Sequence, residues 1–182
     1  MSKKKKDLSH LDGLRVKVKG DAFVLRKFSF RDIKPLASIL MNEQNMAFLA
    51  KPFSPSEVED RVVRNFQRYM QFGIGQMAIV REKDNLVIGD AGIRQAIIAD
   101  NLENQLEIIL DQEFWRQGIA SQIGATLMHL VPLLGLERIA CHCPSDQVPA
   151  IALATKLGFE QESSYQNPRH REKEYIIFAW KP

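Results

Sequence analysis

The hydrophobic pattern begins with strict alternation. Leu14-Arg15-Val16-Lys17-Val18-Lys19 puts apolar and basic residues on opposite faces, the signature of a strand with one wet side. Gly20-Asp21 is a turn, and Ala22 to Lys27 resumes extended structure, so residues 14–27 are expected to form a hairpin. Ser29 and Asp32 then resemble a helix start, with the helix running from about Ile33 to Leu40 and Asp32 as its cap. Residues 42–53 show no clear period. Ser54-Pro55-Ser56-Glu57 is a capping box with proline at the first helical position. Val58, Val62, Phe66 and Tyr69 follow on one helical face until Phe72-Gly73-Ile74-Gly75 ends it. Gln76–Arg81 reads as a strand, Lys83-Asp84-Asn85 as a turn, and Leu86–Ile97 as a second strand. Gly89 and Gly92 inside it signal a bulge or a close backbone approach. A polar turn at Asp100–Asn104 precedes the strand Gln105–Leu110.

A turn containing Gly118 separates that strand from a helical face marked by Ile119, Ile123, Leu127, Leu130 and Leu134. Pro132 is expected to kink or end this helix, and Gly135 supplies a stop. A strand at Arg138–Cys143, a loop at Pro144–Pro149 and a short helix from Pro149 to Gly158 follow. Strands at Phe159–Tyr165 and Glu172–Trp180 flank the basic loop Pro168-Arg169-His170-Arg171. The order is two strands, two helices, three strands, helix, strand, helix, two strands. It implies an α/β (mixed α+β) fold: one sheet with antiparallel hairpins and a parallel crossover around the 116–134 helix.

Composition adds limits. The 182 residues are 45% hydrophobic, enough for a substantial core. The organisation expected is a basic, frayed tail over residues 1–13 and one domain over 14–182. Much of the net charge of +3 sits in Lys3, Lys4, Lys5 and Lys6, with no aromatic residue between them, so a solvated terminus is the plainer reading and a nucleic-acid partner is not expected. No apolar segment suits a signal peptide or a membrane span, and the two cysteines suggest no disulfide framework. The expected setting is the cytoplasm.

The candidate chemistry centres on residues 106–128. A strand, a small-residue turn and a helix N-terminus make an anion site, because the first helical N–H groups lack intrahelical acceptors and small residues let a phosphate approach the backbone. Upstream, Glu107 is an acid between Leu106 and Ile108. Two readings stand. A carboxylate buried beside a cleft has its pKa raised and can serve as a base, or it faces solvent or a salt bridge on the alternate face. Glu103 is a second acidic candidate. Cys141-His142-Cys143 invites a metal site, but on a strand the cysteines face one way and the histidine the other, so none is expected.

Phe114-Trp115-Arg116-Gln117-Gly118-Ile119-Ala120 between strand and helix, followed by Lys156-Leu157-Gly158-Phe159, resembles the GNAT superfamily of acetyl-CoA-dependent N-acetyltransferases. It is most similar to the branch containing the ribosomal-protein N-terminal (alanine/serine) acetyltransferases. Trp115 occupies a place where many members have Arg or Gln. The resemblance implies a mixed, largely antiparallel sheet with a parallel splay around a V-shaped cleft, flanked by helices. Acetyl-CoA would lie in that cleft. The backbone of Arg116, Gln117, Gly118, Ile119, Ala120 and Ser121 would hold its pyrophosphate, and Arg116 would add a charge. Ile108, Ile109 and Leu110 would meet the pantetheine arm. Gln147 aligns where relatives often carry an asparagine that touches this arm, and Ala154 where many carry an acidic tyrosine. Glu107 would be the catalytic base, and the oxyanion would meet a backbone N–H near Ile109.

The expected activity is acetyl transfer from acetyl-CoA, without metal, to a primary amine in a ternary complex. A ribosomal or other protein N-terminus is the expected acceptor. A small amine such as a polyamine or an aminoglycoside, or a CoA-binding module with little turnover, are the alternatives. Monomer and homodimer both remain open.

Overall fold

The computed structural model describes residues 13–47, 51–168 and 170–181. The lysine run lies outside the described residues. The element order matches the sequence reading: β1 (Leu14–Val18), β2 (Asp21–Lys27), α1 (Ile33–Leu40), α2 (Pro55–Phe72), β3 (Gln76–Arg81), β4 (Leu86–Ile98), β5 (Asn101–Leu110), α3 (Ile119–Leu134), β6 (Ile139–Pro144), α4 (Val148–Lys156), β7 (Glu160–Gln166) and β8 (Glu174–Trp180). The strands form one sheet in the order β1-β2-β3-β4-β5-β6-β8-β7. Every neighbouring pair is antiparallel except β5–β6.

That exception positions the site. β5 and β6 are joined at the single pair Gln105↔Ala140 and then part. The closed end of the resulting V is fastened by side chains. Arg138, just before β6, bonds Glu103 of β5 at 3.0 Å and Glu162 of β7 at 2.6 Å. Asn104 adds a hydrogen bond to the Arg138 carbonyl. Beyond Gln105, the β5 edge that faces β6 has no paired strand among the described residues.

Alternation along the strands gives each face of the sheet its own core. On one face Leu106, Leu110, Ile139, Cys143 and Phe178 pack with Ile119, Ile123 and Leu127 of α3. On the other Ala78, Val80 and Ile109 pack with Leu36 and Leu40 of α1 and Val58 and Val62 of α2. Burying each such branched side chain contributes about 1.5–3 kcal/mol, so both helical layers are held mainly by apolar area.

Several expectations are sharpened. Ser54 caps α2 as a capping box, its backbone N–H donating to Glu57 at 2.7 Å. Pro35 is tolerated at the third residue of α1 because that N–H has no intrahelical acceptor in any case. Asp32, which precedes α1, is instead tied by two 2.8 Å hydrogen bonds to Arg26. The expected polar turn at 100–104 is only Ala99-Asp100, both left-handed; Asn101–Asn104 belong to β5. Both faces of this projecting hairpin end are wet, Leu102 and Ile97 included, so polar residues there do not mark a turn. Pro132 does not end α3. The helix runs to Leu134 and is closed by left-handed Gly135. Gly89, as its position suggested, marks a close approach: a Cβ there would lie 2.1 Å from the Ile109 carbonyl oxygen, beside a register shift in β3–β4.

Candidate functional site

The two faces of the sheet meet at the V, and each contributes a different kind of chemistry. On the α3 face, the chain leaves β5 through Asp111–Gly118. Arg116 and Gly118 are both left-handed, with φ of 59° and 87°. This reversal turns the chain from β5 into the start of α3. The first intrahelical bond of α3 is Gln122 N–H to the Gly118 carbonyl, and Gly118 has no side chain to cap the turn. The N–H groups of Ile119, Ala120 and Ser121 are therefore free of helical partners. A Cβ at Gly118 would meet only Val18 Cγ1, in ordinary contact at 3.9 Å, so conformation rather than crowding is what calls for glycine here. Trp115 fastens the turn by donating its indole N–H to the Leu110 carbonyl at 2.9 Å. Gln117 does likewise through the Glu113 carbonyl at 2.7 Å. Arg116 is exposed. Gln147 precedes α4 with no side-chain bond to that helix, and Ala154 is buried in the core.

On the α2 face, the V is lined by charge. Glu107 lies two residues past the Gln105↔Ala140 junction, opposite Gly92 of β4. Its Oε2 accepts from Arg61 Nη2 at 2.7 Å and from Gln76 Nε2 at 3.2 Å, and its Oε1 from Arg94 Nη2 at 3.1 Å. Arg61 also grips fully buried Asp90 with bonds of 2.5 and 2.8 Å. α2 is set over β3 by polar stitching. Asn65 accepts from the Gln76 backbone, and Tyr69 donates to the Gln76 carbonyl while accepting from Phe28 N–H. This fixes Arg61 above β4 and β5. Gln76 Oε1 is buried without a donor among the described residues.

The expectation that burial would raise the Glu107 pKa is corrected here. Burial does push it up, but the charges of Arg61 and then Arg94 outweigh this and hold the carboxyl well below its ordinary range. The same carboxylates push the Arg61 guanidinium up against the effect of burial. Glu107 is thus an ionised carboxylate of low basicity. It still keeps 19% of its side-chain surface open, so it remains within reach of a ligand.

The facing arm of the V is aromatic. His142, two residues beyond Ala140 on β6, pairs its Nδ1 with the Tyr165 hydroxyl at 2.7 Å. Tyr175 packs against both rings, and His170 meets the Tyr175 hydroxyl at 3.1 Å. Burial lowers the His142 pKa, opposed by the charge of Glu107 and reinforced by Arg94, which favours the neutral ring. Cys141 and Cys143 lie on the α3 face, as strand alternation required, and burial pushes their thiols to about 12 and about 11. Among the described residues no three metal-binding side chains converge.

The sequence reading singled out the turn and Glu107 as candidates. It did not find Arg61, Gln76, Asp90, Arg94 or His142 as Glu107's surroundings. One signal was present: Arg61 and Arg68 recur seven residues apart on α2, on the flank of its apolar stripe.

The arrangement, a mostly antiparallel sheet opened at one parallel pair beside a helix N-terminus, defines a class of fold. The sequence model of the acetyltransferase (GNAT) domain matches residues 23–160, and the chain belongs to this family. It is an acetyl-CoA-dependent N-acetyltransferase, moving acetyl to an amine. Solved structures share the fold at low identity. The ribosomal-protein-S5-alanine acetyltransferase of Vibrio fischeri has a TM-score of 0.74 at 14% identity, over 92% of this chain and 96% of that one. A ribosomal L7/L12 alpha-N-protein acetyltransferase in complex with coenzyme A has 0.71 at 18%, over 92% and 98%. The spermidine N-acetyltransferase of Vibrio cholerae, in complex with CoA and spermine, has 0.67 at 18%, over 87% and 95%. Among the described residues no helix is long and apolar enough to cross a membrane.

Proposed function

We propose that the acceptor is the α-amine of a protein or peptide N-terminus. The observation that favours this over a polyamine is the charge around Glu107 on the α2 face: among the described residues there, Arg61, Arg94 and Arg68 outnumber the carboxylates Glu107 and Asp90. A polycation entering there meets like charge, whereas a peptide brings one ammonium and can bring acids. In this reading the pyrophosphate of acetyl-CoA rests on the N–H groups of residues 116–121, with Arg116 beside it. The pantetheine arm pairs with the open edge at Ile108, Ile109 and Leu110, and Gln147 offers its amide. The free donors, the left-handed turn at Gly118 and the unpaired β5 edge fit such a ligand. The thioester then reaches the other face at the apex of the V, between Glu107 and His142. The amine loses its proton to water held by Glu107, whose depressed pKa suits it to orient the amine rather than to keep the proton. The neutral amine attacks the thioester carbon, the tetrahedral oxyanion forms, and the CoA thiolate leaves, taking a proton from water.

Release of free CoA thiol, measured with N-terminal peptides, spermidine and aminoglycosides as acceptors, tests this. Peptides are expected to be the better acceptors by kcat/KM. Turnover confined to spermidine or to aminoglycosides overturns the reading.

A further inference from the structure

Among the described residues of the α2 face, Arg68 is a cation without a carboxylate partner. Both Asp90 oxygens are taken by Arg61, and both Glu107 oxygens by Arg61, Arg94 and Gln76. Arg68 sits two helical turns beyond Arg61, with its Cβ 3.4 Å from where a Cβ on Gly75 would stand, next to the Gln76 that contacts Glu107. It is half-buried and makes no hydrogen bond or ion pair with any described residue. Its charged neighbours are Arg94 and Arg61, both repulsive, then Glu107, attractive but already engaged by those two arginines, and Arg64, repulsive. Three guanidiniums therefore share two carboxylates whose oxygens are already occupied. A half-buried guanidinium among like charges is costly unless an anion joins it.

We infer that Arg68, with Arg94 beside it, receives a carboxylate carried by the acceptor close behind the reacting amine. The inference rests on the acceptor site lying on the α2 face. For a peptide the carboxylate is an Asp or Glu side chain in the first few residues. For a free amino acid it is the α-carboxylate. Arg94 still bonds Glu107 on its inner side and keeps 20% of its side-chain surface open, so the two arginines can share the incoming acid. A planar guanidinium suits this because it binds carboxylate through two parallel N–H donors, which fixes orientation as well as charge.

The test uses matched acceptor peptides that differ only by Asp→Asn or Glu→Gln at the second or third residue, with thiol release as the readout. The acidic peptide is expected to have the higher kcat/KM by about tenfold, mostly through KM. In Arg68→Gln the acid-to-amide ratio is expected to fall toward one, and in Arg68→Lys to be partly retained. A purely structural role for Arg68 would lower the melting temperature and leave the ratio intact, which overturns the inference. Equal kcat/KM for acid and amide peptides in the wild type also overturns it, while leaving the peptide reading standing. Turnover of free amino acids but not of peptides or the matching decarboxylated amines keeps the carboxylate site and removes the peptide reading. Turnover of spermidine alone removes both.

Discussion

The two faces of the sheet at the V are built from opposite materials. On the α3 face the groups proposed to meet the ligand are backbone: free N–H groups at a helix start, an open strand edge, and a turn set by two left-handed residues. On the α2 face they belong to side chains brought from α2, β3, β4, β5 and β6. A backbone site tolerates side-chain exchange wherever conformation and access are kept, as Trp115 illustrates by replacing a commoner polar residue and bonding the Leu110 carbonyl instead. A side-chain site has no such freedom, because each charge is offset by a named partner.

The largest effect should come from Arg61→Met. It strands Asp90, whose side chain is fully buried, and the expected loss is about 3–5 kcal/mol of stability, read by denaturant unfolding. Adding Asp90→Asn should restore much of it; if the double variant is no better than the single, the pair is not coupled as described. Next is Gly118→Glu on the opposite face. A side chain at φ 87° adds strain and an acid opposes the phosphates, so acetyl-CoA affinity is expected to fall about 100-fold by calorimetry, or roughly 2.7 kcal/mol. Unaltered affinity would remove the turn from the CoA site. Glu107→Gln should lower kcat about tenfold with little change in acetyl-CoA affinity, because only the α2 face is touched. Since Arg61 and Arg94 hold this carboxyl low, the wild-type kcat profile should show no Glu107 limb between about pH 5 and 8. An acid limb in that range that vanishes in Glu107→Gln would break the contrast drawn between orienting and proton-keeping roles.

The smallest effect concerns His142. Its pKa is lower folded than unfolded, so the unfolded chain binds the proton more readily. The stability that goes with the neutral ring is complete above about 6.5 and is lost as pH falls through the depressed folded value. His142→Phe should flatten that part of the stability profile. An unchanged slope would show that another group titrates there.

The same contrast explains what the sequence made legible. The element order could be read because alternation and helical period survive wherever one face is wet, as at Leu14–Lys19 and Val58–Tyr69. The turn at Gly118 could be read because conformational demand leaves glycine at a fixed place between strand and helix. Asn101–Asn104 misled because an exposed hairpin and a polar turn share a composition, and only the left-handed pair Ala99-Asp100 separates them. For Glu107 the sequence showed a charge in an apolar strand but not its partners. Those lie 46 residues before it and 13 before it in the chain, and no local pattern connects Arg61, Arg94 and Glu107. The direction of its pKa followed from those partners, so burial alone pointed the wrong way.

The single pair that joins β5 to β6 has a mechanical consequence. A ladder of many rungs resists opening along its whole length, but here five strands on one side and three on the other share one rung. Bending stiffness at that line comes instead from the Arg138 ties to Glu103 and Glu162 and from the α3 crossover. The two groups of strands are thus joined through side chains and a shared core with α3 more than through a backbone ladder. A change of the angle between them alters the distance from Glu107 to His142 while leaving every other strand register as it was.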